Sequence, residues 1–360
     1  MSLAQPKRIL IIKLRHHGDV LLSTPVVDAL KTRFPDCEID MLVYAGTGQL
    51  IADNPQIAQI FTIDRNWKKL GVFKQLACEK NLFSKLKARD YDWAFNLSDQ
   101  WRAAIIAKLC ARCSVGLDCI KRDGFWWRFC HDFINHELDT SHHIVENQLN
   151  ILAPLIQPED VADAKVRLWV AQDARESMRQ KLREQGWNGE DYVLLHPGAR
   201  WHFKCWEDGK NAAIVQLLLN SGQNVVLTAS PDTVEQYMLQ EIIGRLNIPE
   251  GEKVWVLSGC LSLRELAAAI EGAKLFIGVD SAPMHIAAAL DKPQIALFGA
   301  SWVDKWRPYS EQAEVIYAGD YAELPHPDSI DTNDPTRLLK AIPLQDVWDK
   351  ISAKLEALEA

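Results

Sequence analysis

The stretch Arg8–Leu30, RILIIKLRHHGDVLLSTPVVDAL, decides the fold of this chain. Its first seven residues form a near-continuous apolar run, as expected of a strand that is buried on both faces of a parallel sheet. A turn with Gly18 and Asp19 follows, and Pro25 then suits the first turn of a helix. A strand, a sharp turn and a helix in this order predict the opening of a doubly wound α/β domain.

Apolar and amphipathic runs alternate along most of the chain, which predicts parallel sheets covered on both faces. The expected strands are Arg8–Leu14, Glu38–Tyr44, Ile57–Ile63, Tyr91–Leu97, Tyr192–His196, Asn224–Ala229, Val254–Leu257, Lys274–Val279 and Gln294–Phe298. The expected helices are Pro25–Phe34, Lys74–Ala88, Trp101–Cys110, Ile144–Ile156, Asp208–Ser221, Thr233–Leu246, Ser262–Glu271 and Met284–Leu290.

This strand–helix pattern occurs twice, and a length of 360 residues also favours two domains. The polar connector QPEDVADAKVRLWVAQD lies between the halves, in residues 157–173. We therefore expect an N-terminal Rossmann-like domain in residues 1–160 and a C-terminal one in residues 173–342. The amphipathic segment 343–360 is expected to form a helix, which could pack back on the N-terminal domain or stay with the C-terminal one.

The net charge of −8 argues against a nucleic-acid-binding protein. No apolar run reaches the length of a transmembrane helix, and the N-terminal sequence lacks the apolar core and cleavage site of a signal peptide. We expect a cytoplasmic protein. Eight cysteines scattered along a long chain fit that compartment, where reduced thiols are the rule.

One group of cysteines resembles part of a zinc site: Cys110 and Cys113, then Cys119 and Cys130. The second half of a zinc spacing pattern is missing. The run AAIIAKLCARC is instead typical of a helix whose cysteines are small buried hydrophobes. No metal site is predicted here.

Basic residues are concentrated in one segment of the N-terminal half. The segment Arg65–Arg89 holds eight basic residues and a single acid, Glu79, whereas residues 166–360 carry a net charge of −9. Two interpretations stay open. The segment is either a solvated helix face or a surface for an anionic group such as a phosphorylated lipid headgroup.

Loops that follow strands are the places to look for chemistry, because doubly wound sheets bind ligands at the carboxyl ends of their strands. Asp19 lies in the first such loop, at the expected mouth of a cleft. It could cap the following helix or act as a base. Ser23 and Thr24, just before Pro25, offer another cap, which favours the second interpretation.

The loop after Val279 reads Asp280-Ser281-Ala282-Pro283-Met284-His285. Ser281 or Ala282 can cap the helix that follows, and the amide groups of that helix could bind a diphosphate. Asp280 is suited to sugar hydroxyls. His285 is as easily explained by an ordinary structural role.

Two further loops of this half could bind the same ligand. Gly198, after the strand ending at His196, permits close backbone approach, and Arg200 and Lys204 are cations suited to phosphate. Glu235, near Ser230-Pro231-Asp232, could accept ribose hydroxyls, although simple turn chemistry explains that loop too.

Several motifs are absent from the sequence. No GxGxxG follows a strand, and neither GxxxxGK[ST] nor GxSxG occurs. These absences count against a nicotinamide enzyme, a P-loop NTPase and a serine hydrolase. The single DxD, Asp90–Asp92, begins a strand and is interpreted as a surface turn.

Three motifs in order, GDVLLSTPVVDAL, HPGARWHFKCW and GVDSAPMHIAAAL, resemble those of the ADP-heptose:lipopolysaccharide heptosyltransferases of glycosyltransferase family 9. The resemblance covers nearly the whole chain. It implies a GT-B fold, with two Rossmann-like domains facing across a cleft. It also implies transfer of L-glycero-D-manno-heptose from ADP-heptose with inversion, with no cofactor and no essential metal.

The same resemblance implies the acceptor and the location. The acceptor would be a heptose of the lipopolysaccharide inner core, on lipid A–Kdo–heptose, at the cytoplasmic face of the inner membrane with peripheral membrane contact and no nucleic acid. Two loops are most similar to the members that add the third, branching heptose to the second. Another heptosyltransferase activity, another GT-B nucleotide-sugar transferase, or a non-catalytic nucleotide-sugar-binding protein are the alternatives.

The resemblance also assigns residues. The general base would be Asp19, the lysine contact to the donor diphosphate would be Lys204, Asp280 would hold the heptose, and His285 is the histidine of the same motif. Where some relatives have paired threonines, this chain has Ala199 and Arg200, so the resemblance does not assign the phosphate contacts of that loop.

The loops themselves add further candidates. The other predicted donor-binding residues are Gly198, Ala199, Arg200, Glu235, Ser281, Ala282 and Met284. The predicted acceptor contacts are Arg15, His17, Lys68, Lys69 and Arg128.

Overall fold

A computed structural model describes residues 5–118, 122, 124–161, 163–248 and 253–359, and it places strand β1 (Arg8–Lys13) inside a six-stranded sheet. Ile9, Leu10, Ile11 and Ile12 of this strand are fully buried. Each such side chain contributes about 2 kcal/mol of burial free energy. The apolar run therefore forms a strand covered on both faces, as predicted.

The two faces of this sheet bury alternate residues of β1. Ile9 and Ile11 pack in a core with helix α2 (Thr24–Arg33). Leu10 and Ile12 pack in a second core with helices α3 (Val72–Ala88) and α4 (Trp101–Cys110). The period of two between inward-pointing side chains is the reason for this division.

The first compact unit spans residues 1–169. Its sheet is parallel, with the strand order β3-β2-β1-β4-β5-β6. The other strands of this unit are β2 (Glu38–Tyr44), β3 (Gln59–Ile63), β4 (Tyr91–Asn96), β5 (Ala111–Asp118) and β6 (Phe133–His136). Its remaining α-helices are α1 (His17–Leu21), α5 (Phe125–Phe129) and α6 (Ile144–Asn150).

The second compact unit spans residues 170–360 and repeats the same topology, in the order β12-β11-β10-β7-β8-β9. Its strands are β7 (Val193–His196), β8 (Val225–Ala229), β9 (Val254–Ser258), β10 (Leu275–Val279), β11 (Gln294–Phe298) and β12 (Ala313–Tyr317). Its helices are α7 (Gln172–Arg183), α8 (Asp208–Asn220), α9 (Thr233–Ile243), α10 (Leu263–Gly272), α11 (Ala282–Ala289), α12 (Val303–Trp306) and α13 (Leu344–Glu359).

Both sheets have the doubly wound order 3-2-1-4-5-6, with the direction of winding reversed between the first and fourth strands of the unit. The predicted fold class, two Rossmann-like parallel-sheet domains, is confirmed. The division between the units falls between Trp169 and Val170.

The C-terminal helix α13 belongs to the second unit. Val347, Ile351 and Leu355 are buried in the core that also contains Leu218 of α8. The core of the second unit therefore covers the apolar stripe of this helix.

Several elements differ from the sequence prediction. The run AAIIAKLCARC is not one helix, because α4 ends at Cys110 and the chain enters β5 directly at Ala111. Cys110 and Cys113 are both buried, as predicted, but Cys113 lies on the strand. Cys119 lies outside the described residues. The helix expected over Ile144–Ile156 ends at Asn150 and continues as turns.

Within the part of the chain that the structure describes, every helix is too short or too polar to span a bilayer.

Candidate active site

In the first unit, two loops meet at the point where the sheet order reverses. One follows β1 and the other follows β4. The amide of Leu14 donates to Ser98 Oγ at 2.7 Å, and the Arg15 guanidinium pairs with Asp99 at 2.9 Å. These contacts fix the two loops against each other at the carboxyl edge of the sheet, where doubly wound folds bind ligands.

Asp19 lies in the short helix α1, one turn beyond β1. Its Oδ2 accepts a hydrogen bond of 3.3 Å from the amide of His16, so this carboxylate does help to cap α1. The expectation that Ser23 would supply the cap is wrong, because Ser23 Oγ donates backwards to the carbonyl of Val20. Thr24 Oγ1 likewise donates to the carbonyl of Leu21.

The capping hydrogen bond leaves one carboxylate oxygen of Asp19 available to a ligand. The bond from His16 is long, it uses one oxygen, and the side chain is half-buried. Oδ1 has no hydrogen-bond partner among the described residues. A carboxylate that is held by one weak bond keeps an acceptor oxygen for a ligand hydroxyl, which is the first requirement of a general base.

Lys13, the last residue of β1, is a member of this region that the sequence prediction misses. It is 5 % exposed, and burial lowers the pKa of its ammonium from 10.5 to about 8, whereas the charges of Asp19, Asp99 and Glu137 act in the opposite direction. A buried cation beside three carboxylates stabilises negative charge at this edge. The available signal was a lysine at the end of an otherwise apolar buried strand.

An open cavity of about 410 Å³ lies at the same edge of the first unit. Four of its lining side chains are cations: Arg15, Arg65, Lys68 and Arg102. The remaining lining residues are Leu14, His16, Tyr44 and Gln100. The Arg65 guanidinium lies 4.0 Å from the centroid of the Tyr44 ring, which orients it. Such a cavity is suited to an anionic ligand.

The structure brings only two of the five predicted acceptor contacts, Arg15 and Lys68, to this cavity. Lys69 is exposed and does not line it. Arg128 lies on α5, where it pairs with Asp118 at 3.3 Å. His17 is in α1; burial, with the charges of His16 and Arg65, lowers its pKa, so that its ring is neutral near pH 7.

In the second unit, Lys204, Asp280 and Ser301 form one cluster. Lys204 Nζ is 2.5 Å from Asp280 Oδ2, and Ser301 Oγ donates to the same oxygen at 2.6 Å. Lys204 follows β7 and Asp280 follows β10, the two strands at which this sheet reverses. Ser301, just after β11, is a contact that the sequence motifs do not indicate.

Trp201 provides a platform beneath the cations of this loop. Lys204 Nζ lies 5.1 Å from its ring centroid, and the Arg200 guanidinium carbon lies 5.8 Å from it. The ring is itself stacked on Phe203 with centroids 5.9 Å apart. The platform holds both cations at the carboxyl edge of the sheet.

Gly198 is required by a close approach to Glu235. A Cβ at this position would lie 2.5 Å from Glu235 Oε2. That oxygen accepts a 3.0 Å bond from the amide of Ser230 and lies 3.7 Å from His196 Nε2. Burial lowers the pKa of His196, so this buried contact places a neutral imidazole beside the carboxylate. Ala199 is buried beside Gly198.

The start of α11 offers polar groups next to Asp280. Ser281 occupies the N-cap position, its side chain makes no cap bond, and its hydroxyl is buried without a hydrogen-bond partner in the described chain. Ala282 begins the helix. Met284 is fully buried, and its amide donates to the carbonyl of Ser281. His285 is also buried.

Among residues 5–118, 122, 124–161, 163–248 and 253–359, no group of three or more His, Cys, Asp and Glu side chains is arranged to hold a metal ion.

Comparison with protein families gives one match over most of the chain. The sequence model of Glycosyltransferase family 9 (heptosyltransferase) matches residues 80–336. Lipopolysaccharide heptosyltransferase 3 of Escherichia coli is 38% identical over 335 residues, covering 93% of this chain and 95% of that protein.

Solved structures are similar over almost the full length. A glycosyl transferase family 9 protein from Veillonella parvula DSM 2008 has a TM-score of 0.83 at 21% identity and covers 99% of both chains. The E. coli heptosyltransferase WaaC with ADP has a TM-score of 0.73 at 18% identity, covering 96% of this chain and 99% of that one. These likenesses place both units in the GT-B fold class.

Proposed function

This chain belongs to glycosyltransferase family 9, and on that premise we propose that it transfers L-glycero-D-manno-heptose from ADP-heptose to the lipopolysaccharide inner core. It is a glycosyltransferase of the heptosyltransferase type, as its sequence motifs predict. The identity of 38% to lipopolysaccharide heptosyltransferase 3 supports a finer proposal: addition of the third heptose, as a branch, to the second.

Inversion at the anomeric carbon requires one displacement. The acceptor hydroxyl oxygen attacks C1 of the heptose, the bond from C1 to the diphosphate oxygen breaks, and ADP leaves with the electron pair. Asp19 takes the proton of the attacking hydroxyl. Its half-buried carboxylate, held by a single 3.3 Å bond to an amide, supports this role.

The departing ADP carries its charge on the diphosphate, which needs cations or amide donors around it. Lys204 and Arg200, both placed over Trp201, supply the positive charge. Asp280 accepts from the heptose hydroxyls, and Ser301 holds that carboxylate in position. Glu235 accepts the ribose hydroxyls. The hydroxyl of Ser281 and the amides at the start of α11 complete the diphosphate contacts.

The acceptor occupies the cation-lined cavity of the first unit in this proposal. Arg15, Arg65, Lys68 and Arg102 together favour an acceptor that carries phosphate groups. The lipid-linked core of lipopolysaccharide has this chemistry. We place the enzyme at the cytoplasmic face of the inner membrane, in peripheral contact with it. No cofactor and no essential metal takes part in the proposed reaction.

The observation that carries the proposal is the cluster of Lys204, Asp280 and Ser301 at the reversal point of the second sheet. It combines a phosphate-binding cation with a carboxylate for sugar hydroxyls. A nucleotide-sugar donor needs both groups within a few ångströms.

The test is to incubate the full chain with ADP-heptose and truncated lipopolysaccharide that ends at the second heptose. Mass spectrometry should show a gain of one heptose, and linkage analysis should find a branch on the second heptose. Acceptors that lack this heptose, and UDP and GDP sugars, are the controls. Transfer to an acceptor without any heptose would favour a type I activity. Transfer only from UDP or GDP sugars would refute ADP-heptose as the donor.

A further inference from the structure

Large apolar side chains are exposed on three helices of the first unit. Phe73 of α3 is 90 % exposed, and Phe125 and Trp126 of α5 are 72 % and 69 % exposed. A folded protein rarely leaves such groups together in water without a partner. The exposed set, called here the α3–α5 face, is Val72, Phe73, Leu76, Trp101, Ile105, Leu109, Phe125, Trp126 and Phe129.

Direct contacts join the three helices into one surface. Arg102 of α4 pairs with Glu79 of α3 at 2.6 Å. Trp101 of α4 packs edge-on against Trp127 of α5, with ring centroids 5.5 Å apart. Ile105 and Leu109 follow Trp101 at a spacing of four, so they extend one stripe along the outer side of α4.

The aromatic part of this face is held in place from below. Trp127 is buried and its indole Nε1 donates to the carbonyl of Leu117 at 3.0 Å, which anchors α5. Above it, Phe125 lies 5.4 Å from Trp126 and 6.5 Å from Phe129 between ring centroids. The outward rings therefore form a packed ridge instead of separate mobile side chains.

Positive charge lies beside the α3 part of this face. The exposed lysines there are Lys69, Lys74, Lys80, Lys85 and Lys87. Among the residues that the structure describes, none of them forms an ion pair. Glu79, the only acid of the segment 65–89, is already paired with Arg102. The charge of these lysines is thus available to an anionic partner.

We propose that the α3–α5 face docks on the surface of an anionic phospholipid bilayer. Aromatic and aliphatic side chains enter the boundary between headgroups and acyl chains, and lysines bind the anionic headgroups. Uncompensated lysines beside exposed rings match this partner better than a second copy of the face, because two copies would bring like charges together. The inference deepens the proposed function, since a lipid-linked acceptor presents such a surface.

The experiment measures co-sedimentation of the full chain with vesicles of phosphatidylcholine, with and without phosphatidylglycerol. The wild-type chain should bind the anionic vesicles much more tightly, and high salt should weaken that binding. Phe73→Ser with Leu76→Ser should weaken it at least tenfold. Lys74→Gln with Lys80→Gln should weaken it about fivefold for each lysine.

Matched controls come from the second unit. Lys340→Gln with Lys350→Gln removes the same charge, and Leu358→Ser removes an exposed apolar side chain. Both should bind vesicles as the wild type does. Heptose transfer to a water-soluble, deacylated acceptor should be unchanged in every variant, because none of these residues belongs to the proposed site.

Equal vesicle binding by the wild-type chain and both α3–α5 variants would overturn the inference. So would a wild-type dimer that ignores vesicles and becomes monomeric, by analytical ultracentrifugation, in Phe73→Ser with Leu76→Ser, since the face would then be a self-interface. Failure of the proposed function appears separately, as absence of transfer to the deacylated acceptor by the wild-type chain.

Discussion

The carboxyl edges of the two sheets have the same topology but different arrangements of charged side chains. In the first unit, four cations line an open cavity, and Asp19 keeps one oxygen without a described partner. In the second unit, the principal cation and carboxylate, Lys204 and Asp280, are paired with each other and backed by Ser301.

The difference shows how one fold can present two distributions of charge at the same place in the sheet. Strand order fixes where the loops meet, and the loops alone decide which charges meet there. The first edge has four cations, and two of them, Arg65 and Lys68, form no ion pair among the described residues, so it is suited to an anionic ligand. An edge with a cation–carboxylate pair holds both groups in position and can exchange their mutual contact for contacts with a ligand that carries phosphate and hydroxyl groups.

The largest effect should follow Asp19→Asn. The amide can still accept from His16, so the fold of α1 should be kept, but it cannot take a proton. We expect turnover to fall by about 10²–10⁴-fold. Calorimetry should find unchanged ADP affinity, and the exposed carboxylate variant Asp36→Asn should behave as wild type. Near-normal turnover in Asp19→Asn would contradict the assignment of Asp19 as the general base.

Lys13→Met tests the buried cation of the first edge. Burial lowers the pKa of Lys13 from 10.5 to about 8, so the unfolded chain binds this proton more tightly than the folded chain. The contribution of Lys13 to the free energy of unfolding of the wild type should therefore rise between pH 8 and 10.5. We expect Lys13→Met to raise the free energy of unfolding at pH 7 by up to about 3 kcal/mol. The free energy of unfolding of Lys13→Met should lack this rise with pH.

Denaturant titrations at pH 7 and pH 10 measure this effect. Lys7→Met, at an exposed position just before β1, is the matched control and should change neither value. A Lys13→Met variant that is less stable than wild type at pH 7 would mean that the lysine stabilises the edge despite its burial.

Lys204→Ala tests the paired edge. It removes the cation proposed for the diphosphate and leaves Asp280 with Ser301 alone. We expect a higher donor KM, a slower chemical step and a loss of about 100-fold in kcat/KM. Steady-state kinetics with ADP-heptose measure this, with the exposed Lys340→Ala as control. Unchanged kinetics would exclude Lys204 from the donor site.

The smallest effect should follow Gly198→Ala. The added methyl group would lie 2.5 Å from Glu235 Oε2 and would displace it from the amide of Ser230. We expect about 1–3 kcal/mol of lost stability and weaker ADP binding. Gly209→Ala, where no atom lies within 4 Å of the new methyl group, should be neutral or slightly stabilising. Similar thermal melts for both variants would contradict the close approach.

Much of the fold is predictable from local pattern. The nine strands that the apolar runs predict lie within two residues of the observed bounds, and Glu38–Tyr44 and Gln294–Phe298 match them, whereas β6 and β12 are not predicted. β5 was missed because it follows a helix with no intervening turn, and its residues mix small and polar types. α7 was missed because its polar sequence resembles a linker.

The candidate site is less predictable than the fold. Gly198, Lys204 and Asp280 stand in loops directly after strands, so their position follows from topology. Ser301 and Asp99 come from other loops, and only the folded chain brings them to Asp280 and Arg15. The cavity of the first unit is assembled from four separate stretches of sequence, and no single motif encodes it.

The register of strand β1 also fixes the position of the loop that follows it at the carboxyl edge of the first sheet. Its alternate side chains belong to two different cores, so a slip of one residue would exchange Ile9 and Ile11 with Leu10 and Ile12 between them. The same slip would advance the following loop by about 3.3 Å. The packing of four aliphatic side chains therefore permits one register of β1, and that register fixes the position of Asp19, the proposed base.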